Sequence, residues 1–282
     1  MQTIPDRLDR QTFQELEKVS RPTATSRLNQ LEESGVLKTA PIKGGGGRPK
    51  KLYMINRERY RPERPQVGNF EKFLKPLTEL EKDFDLKYAL GMPFSSSAYG
   101  RVAYHPPLKV YVERSGARLV TELYSEHLDV TEILAGNEEA LSRGESEYGL
   151  PLLSPEDTVA LLLSQGCEEG FRRSTSHTDA ASVLLRKGLV EEVELDIPYL
   201  CRRAVEEKST SALLQMDELL RNEFEAAFLT ENWRNALRPF ASSEADPSLE
   251  VDLGVLERLA QVPGKYFESD PWARFFGVAG LG

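Results

Sequence analysis

SRLNQLEESGVLKTAPIKGGGGRPKKLYMIN, residues 26–56, begins with a helical pattern and ends with two strand-like runs on either side of four glycines. LKTAPIK at 37–43 and KKLYMIN at 50–56 contain the apolar residues that favour short strands. Glycine permits positive φ at a hairpin tip and lets the backbone approach another molecule closely. The stretch therefore predicts a β-hairpin with GGGGRP at its tip, and the alternative is a flexible glycine-rich linker.

The residues before this stretch predict a helix and a short break. Phe13, Leu16 and Val19 recur at helical spacing. Pro22 should end this first helix, because proline disfavours a helical residue before it. Thr23 is then predicted to cap a second helix.

The second helix is predicted to have a buried face and a polar face. Ala24, Leu28 and Leu31 follow the i, i+4, i+7 rule, and Gly35 stands where a left-handed residue usually ends a helix. The opposite face carries short donors and acceptors: Thr25, Ser26, Asn29 and Gln30, with Arg27 on its flank. A recognition helix presents such residues to base edges in the major groove of DNA. Helix, tight turn, helix and hairpin is the order of a winged helix-turn-helix.

Charge is distributed unevenly along the chain. Residues 1–66 carry 14 Lys and Arg against 8 Asp and Glu, a net +6, whereas the whole chain carries −9. A basic head on an acidic body is typical of a nucleic-acid-binding segment. Four basic residues around the predicted hairpin tip would contact DNA phosphates: Lys43, Arg48, Lys50 and Lys51.

Residues 8–57 resemble the winged-helix regulators of bacteria and archaea. The residues that carry this resemblance are LEESGVL at 31–37, followed by GRPKKLY at 47–53. The resemblance implies a DNA-binding domain at 1–60.

The remainder of the chain is predicted to be a linker and a body. RERYRPERPQVGN, rich in Pro, Arg and Glu, places a linker at 61–69. The body, 70–282, begins with an amphipathic helix that runs to about Asp83. Strand-like runs follow at 87–90 and 108–113, and ARLVTELYS at 117–125 is predicted as a further strand after a turn at Ser115-Gly116.

Later segments of the body are predicted to be helical. Ser154 should cap a helix with Pro155 at its first position. Ser176 or Thr178 is predicted to cap the next one, and one helical run is predicted over 210–237. The fold class is therefore α+β: a winged helix-turn-helix, then an α+β body that ends in a mostly helical region.

The order of YALGMPFSSSAYG, LKVYVE and SPEDTV resembles the nucleotidyltransferase-like body of AbiEi-type (type IV) antitoxins. Those proteins join such a body to an N-terminal winged helix, repress their own operon and oppose a nucleotidyltransferase toxin. The resemblance implies that Ser95, Ser96 and Ser97 stand at the Gly-Ser turn of the superfamily. The following strand departs from the pattern, since Leu108 and Lys109 occupy positions where active enzymes carry a Mg²⁺-binding acid pair.

Other chemistry finds little support in the sequence. The three histidines are far apart and lack a second ligand at metal spacing, and no G-x-S-x-G, Walker A or G-x-G-x-x-G motif occurs. No apolar run is long enough to span a bilayer, and the two cysteines are typical of reduced thiols. We expect a cytoplasmic, non-enzymatic protein that has no catalytic residues, cofactor, metal or membrane partner.

Taken together, the sequence predicts a sequence-specific transcriptional regulator, a repressor with an antitoxin-like role that binds double-stranded DNA. A toxin-like protein partner or self-association would use the body. The alternatives are a nucleotidyltransferase-like enzyme that acts on nucleotide or RNA, and a winged-helix module that binds protein.

Overall fold

The structure is a computed structural model of the 282-residue chain. It describes residues 7–42, 50–63, 70–92, 94–100, 107–143, 145–147, 150–168, 173–186, 195–244 and 248–261. Over these residues the fold is mixed α+β with two small sheets, as the sequence predicted. Among the helices described, none has the length and apolar character that crossing a bilayer requires.

The chain divides by its contacts into two compact units. The first contains Met1–Tyr88 and Tyr111–Glu138, and the second contains Ala89–Val110 and Glu139–Gly282. The predicted domain limits at residues 60 and 70 stay a prediction, because 64–69 lie outside the described residues.

The N-terminal part of the first unit, residues 7–56, is called the head below. Its elements are β1 (Arg7–Leu8), α1 (Arg10–Glu17), α2 (Arg21–Glu33), β2 (Leu37–Ile42) and β3 (Lys50–Ile55). β3 is the central strand of a three-stranded sheet and pairs antiparallel with both β1 and β2. The core between helices and sheet consists of apolar side chains from every element: Leu8, Phe13, Ala24, Leu28, Val36, Leu37, Tyr53 and Ile55.

The middle of the chain supplies a second sheet and short helices. The elements are α3 (Phe70–Phe84), β4 (Tyr88–Leu90), α4 (Phe94–Tyr99), β5 (Leu108–Val112), α5 (Ala117–Leu123), a 3₁₀ turn (Ser125–His127), β6 (Thr131–Ala135), α6 (Glu138–Ser142), β7 (Glu145–Glu147) and β8 (Leu150–Leu152). The strand order is β6-β5-β4-β8-β7, with β4 parallel to β8 and β7 antiparallel to β8. In the first unit α3 buries Phe73, whose ring meets that of Tyr124 edge-on at 5.0 Å.

The second unit is mostly helical. Its later helices are α7 (Pro155–Glu168), α8 (Arg173–Leu185), α9 (Ile197–Glu206), α10 (Thr210–Phe224), α11 (Glu231–Ala241) and α12 (Leu253–Gln261). The first six residues of α7 are all buried, which is the pattern of a central helix. It packs against α4, α8, α9 and α10.

Ser154 caps α7 as predicted, because its Oγ accepts a hydrogen bond from the Asp157 amide at 3.1 Å. Two other cap predictions are wrong. Ser20, not Thr23, caps α2, with Pro22 in its first turn. α8 begins at Arg173, so neither Ser176 nor Thr178 is its cap.

Two predictions about the type or length of an element are also wrong. Residues 117–123 form the helix α5, because Leu119, Val120 and Leu123 lie on one buried helical face. The predicted run over 210–237 is interrupted after α10 by Glu225, which has a φ of 56°. Asp217 stabilises this interruption, because its Oδ1 accepts hydrogen bonds from the backbone amides of Phe228 at 3.0 Å and Leu229 at 2.9 Å.

Candidate nucleic-acid interface

Helix α2 has the polar face that the sequence predicts. Ser26, Asn29 and Gln30 are exposed, whereas Ala24 and Leu28 are fully buried. At about 100° per residue, the three exposed side chains fall within an arc of roughly 100° opposite the buried pair. We call these three residues the reading face.

The turn between α1 and α2 contains three residues, Lys18, Val19 and Ser20. Lys18 adopts the left-handed conformation with a φ of 49°, which ends α1. The Ser20 hydroxyl lies 2.9 Å from the Thr23 hydroxyl, at the start of α2. A break of three to four residues is the usual length in a helix-turn-helix.

Thr25 and Arg27 lie on opposite flanks of the reading face. Thr25 is half-buried, and its hydroxyl donates to the Arg21 carbonyl oxygen at 2.9 Å. Arg27 Nη1 lies 2.9 Å from Glu17 Oε2 on α1, and half of the Arg27 side chain remains exposed. The Arg27 flank therefore faces α1.

Lys51 of β3 lies beside the other flank of the reading face, the flank of α2 that faces the hairpin. Its Nζ is 3.0 Å from Glu32 Oε2 on α2, and Glu32 Oε1 accepts a hydrogen bond from the Thr39 hydroxyl at 2.7 Å. Two hydrogen bonds lower the pKa of the Glu32 carboxyl below its ordinary value. The bond from the Thr39 hydroxyl has the larger effect, and the bond from Lys51 has the smaller one. The hydrogen bond between Lys51 Nζ and Glu32 raises the pKa of the Lys51 ammonium group above its ordinary value.

The remaining predicted phosphate contacts lie at the hairpin tip. Lys43 and Arg48 fall outside the described residues. Lys50 opens β3 opposite Ile42, and nothing is described of its side chain. Of the nine predicted site residues, the structure therefore describes six side chains: five on α2, along the reading face and its two flanks, and Lys51 on β3, paired with Glu32 of α2.

Sequence reasoning missed several polar residues around this surface. Arg21 is exposed in the first turn of α2. Its position directly before Pro22, in the first turn of the helix, was the signal in the sequence that could have identified it. Glu17 pairs with Arg27, which is 10 residues away in sequence, and Glu32 pairs with Lys51, which is 19 residues away. No periodic pattern relates residues at such separations.

The possible catalytic positions of the body are mostly buried. Ser95 and Ser96 lie inside α4 and are at most 1% exposed. In β5, Leu108 is fully buried, and Lys109 Nζ lies 3.5 Å from Gln165 Oε1. Burial raises the pKa of the nearby Glu113 carboxyl. Within the described ranges, no group of three or more His, Cys, Asp or Glu side chains could hold a metal ion.

Two fully buried carboxylates in the second unit are surrounded by donors. Asp157 accepts hydrogen bonds from the Ser154 hydroxyl, the Tyr199 hydroxyl and Arg203 Nε at distances of 2.7–3.1 Å. Asp217 accepts a hydrogen bond from Arg234 Nε at 2.7 Å, in addition to those from the backbone amides of Phe228 and Leu229. Such saturated carboxylates connect helices, and their geometry leaves little capacity for a substrate.

Comparisons with models of protein families, with curated proteins and with solved structures give no match to this chain.

Proposed function

We propose that the chain is a sequence-specific, DNA-binding transcriptional regulator whose head is a winged helix-turn-helix. The observation that carries this proposal is the reading face of α2, which is exposed, polar and followed directly by a β-hairpin. A helix with this arrangement fits the major groove, which is about 12 Å wide and displays a distinct donor and acceptor pattern for each base pair.

The residues of the head divide into two roles. Ser26, Asn29 and Gln30 would bond base edges, since Asn and Gln can pair with adenine through both amide atoms. Five cations would contact phosphates: Arg27, Lys43, Arg48, Lys50 and Lys51. The Thr25 hydroxyl oxygen keeps an acceptor site after donating to Arg21.

Local charge supports binding in spite of the acidic total. Residues 1–66, which contain the head, carry +6 in a chain of −9. Salt screens interactions beyond about 10 Å, so the charge near the interface matters more than the net charge of the whole chain.

For the body we propose a non-catalytic role as the surface for a protein partner or for self-association, in a cytoplasmic repressor of antitoxin type. This role is supported by β5, which carries Lys109 and the buried Leu108 where an acid pair would stand. Lys109 Nζ donates a hydrogen bond to Gln165 Oε1 at 3.5 Å. No described contact favours the enzyme alternative.

The test begins with selection of duplexes from a random DNA library by the full chain. Binding of the selected duplex is then measured by fluorescence anisotropy as a function of salt. Lys51→Ala should weaken binding to all duplexes and reduce the slope of log K against log salt by about 0.9, the share of one phosphate contact. Lys82→Ala, which removes an exposed lysine from α3, is the matched control and should change neither quantity.

Sequence readout needs its own variant. Gln30→Ala should change the sequences recovered from the library, with a loss of about 1–3 kcal/mol on the original duplex. Gln11→Ala removes an exposed glutamine from α1 and should leave the preference unchanged. Absent or salt-insensitive binding by the wild-type chain would refute the proposal and favour a head that binds protein.

A further inference from the structure

Two of the cations proposed to meet DNA are occupied by carboxylates of the head itself. Arg27 Nη1 lies 2.9 Å from Glu17 Oε2, and Lys51 Nζ lies 3.0 Å from Glu32 Oε2. The Arg27 pair lies on the α1 flank of the reading face and the Lys51 pair on the hairpin flank. The carboxylates therefore bracket the surface that would receive the duplex.

Both cations remain open to an incoming anion. Their side chains are 50% and 57% exposed, respectively. An exposed ion pair is a weak contact, since water screens it and two long side chains must be held in one geometry. A phosphate oxygen offers the same kind of charged acceptor as a carboxylate and belongs to a polymer of high charge density. Phosphate can thus take the place of the carboxylate.

We infer that Glu17 and Glu32 are internal substitutes for DNA phosphates, which position Arg27 and Lys51 in the free protein and weaken its binding to duplexes of arbitrary sequence. This inference rests on the proposed function. Each carboxylate must be displaced before its cation meets a phosphate, and its negative charge then stays close to the DNA. Both effects act on every duplex alike, so contacts between the reading face and bases decide which duplex is retained.

Glu32 is the better anchored of the two acids. The Thr39 hydroxyl donates to Glu32 Oε1 at 2.7 Å, which leaves Oε2 directed at Lys51. The Glu32 carboxylate therefore stays close to Lys51 when the lysine moves to a phosphate. Replacement of Glu32 by Gln keeps an acceptor for Thr39 and removes only the charge.

A third ion pair, between Lys38 of the head and Glu58 just after it, supplies the matched control. Lys38 Nζ lies 2.8 Å from Glu58 Oε2. Lys38 stands opposite Met54 in the hairpin, whereas Thr39 and Tyr53 stand opposite each other on the face that meets α2. Because side chains alternate along a strand, Lys38 projects from the other face of the sheet. Glu58→Gln changes the net charge as Glu32→Gln does, but away from the reading face.

The experiment measures binding of the full chain to a fluorescein-labelled duplex of random sequence, between about 50 and 200 mM salt. Glu32→Gln should bind about two- to fivefold more tightly than wild type, the range that corresponds to one exposed ion pair. Its slope of log K against log salt should be steeper by less than about 0.9, because Lys51 already contributes to phosphate binding in wild type. Glu17→Gln should act in the same direction, and Glu58→Gln should change both quantities much less.

A double variant assigns the effect to the pair. In Lys51→Ala the further change Glu32→Gln should lose most of its effect, because the cation that it releases is gone. Urea midpoints of all variants should agree with that of wild type, which shows that folding does not cause the differences.

The outcomes separate the inference from the proposed function. If wild type binds DNA and neither Glu32→Gln nor Glu17→Gln exceeds Glu58→Gln, the inference is wrong and the proposed function stands. An increase from Glu32→Gln that persists at full size in Lys51→Ala also overturns it. If wild type shows no salt-dependent DNA binding, both are wrong.

Discussion

Asp157 joins α7 to α9, and its replacement by Asn should destabilise the second unit. Arg203 Nε donates to its Oδ1 at 2.7 Å, and the Ser154 hydroxyl donates to its Oδ2 at 2.8 Å. The Tyr199 hydroxyl lies within 3.1 Å of both oxygens. An amide has one acceptor and one donor side, so in either orientation its NH₂ group faces a side chain that donates to Asp157 in the wild type.

The magnitude follows from the charges around Arg203. Removing one partner of a buried ion pair costs about 3–5 kcal/mol. Glu206 still bonds the Arg203 guanidinium, and Glu207 Oε1 lies 2.6 Å from its Nη2. Arg203 therefore keeps compensating charge, and we expect a loss of about 3 kcal/mol, the lower end of that range.

Urea unfolding followed by tryptophan fluorescence measures this loss. Trp233 lies in α11 of the second unit, so its signal reports the unit that contains Asp157. Glu218→Gln, at an exposed position of α10, is the control and should change the free energy of unfolding by less than about 0.5 kcal/mol. A loss below about 1 kcal/mol for Asp157→Asn would refute the assigned role of the carboxylate.

Three further predictions concern buried positions. Gly166→Ala would place a methyl group 2.4 Å from the ring of His177, so urea unfolding should show a loss of about 1–3 kcal/mol; Gly254→Ala, with ordinary 3.5 Å contacts, should cause none. Glu113→Gln should raise the free energy of unfolding at neutral pH, because burial raises the pKa of this carboxyl. The advantage should shrink as pH falls through that raised pKa, and an advantage independent of pH would contradict this. Burial also raises the pKa of the Cys201 thiol to about 11. Iodoacetamide at pH 8 should therefore label Cys201 far more slowly in the folded chain than in urea, as measured by peptide mass spectrometry. Equal labelling rates in the two states would contradict the burial of Cys201.

Local signals in the sequence were sufficient for much of the head. The helical spacing, Gly35 and the strand-like runs predict the order α1, α2, β2 and β3, although they placed the break between the two helices about three residues too late, at Pro22 and Thr23. Gly35 has a φ of +74°, the conformation for which glycine was expected there. These features depend on neighbours within a turn or a strand, so the sequence contains them directly.

Features that depend on tertiary contacts were not predicted. Leu119, Val120 and Leu123 suit a strand by composition, yet their common burial makes 117–123 a helix. The interruption after α10 depends on Asp217, whose partners lie 11 and 12 residues further on. The pair of Lys51 and Glu32 likewise exists only because the hairpin folds back onto α2.

Helix α2 is fixed at its C-terminal end and open along its polar face. Asn56 Nδ2 donates to the Gly35 carbonyl oxygen at 2.9 Å, and Arg59 Nη1 donates to that of Ser34 at 2.8 Å. Arg59 Nη2 also lies 3.2 Å from Asp83 Oδ2 on α3, so one guanidinium connects both helices. Precise recognition requires that the supporting contacts hold the reading residues in place. Residues that follow the hairpin thus set the direction of α2, whereas exchangeable ion pairs on its flanks would set the strength of binding to phosphate. Under the proposed function, sequence preference and affinity for DNA would respond to different substitutions.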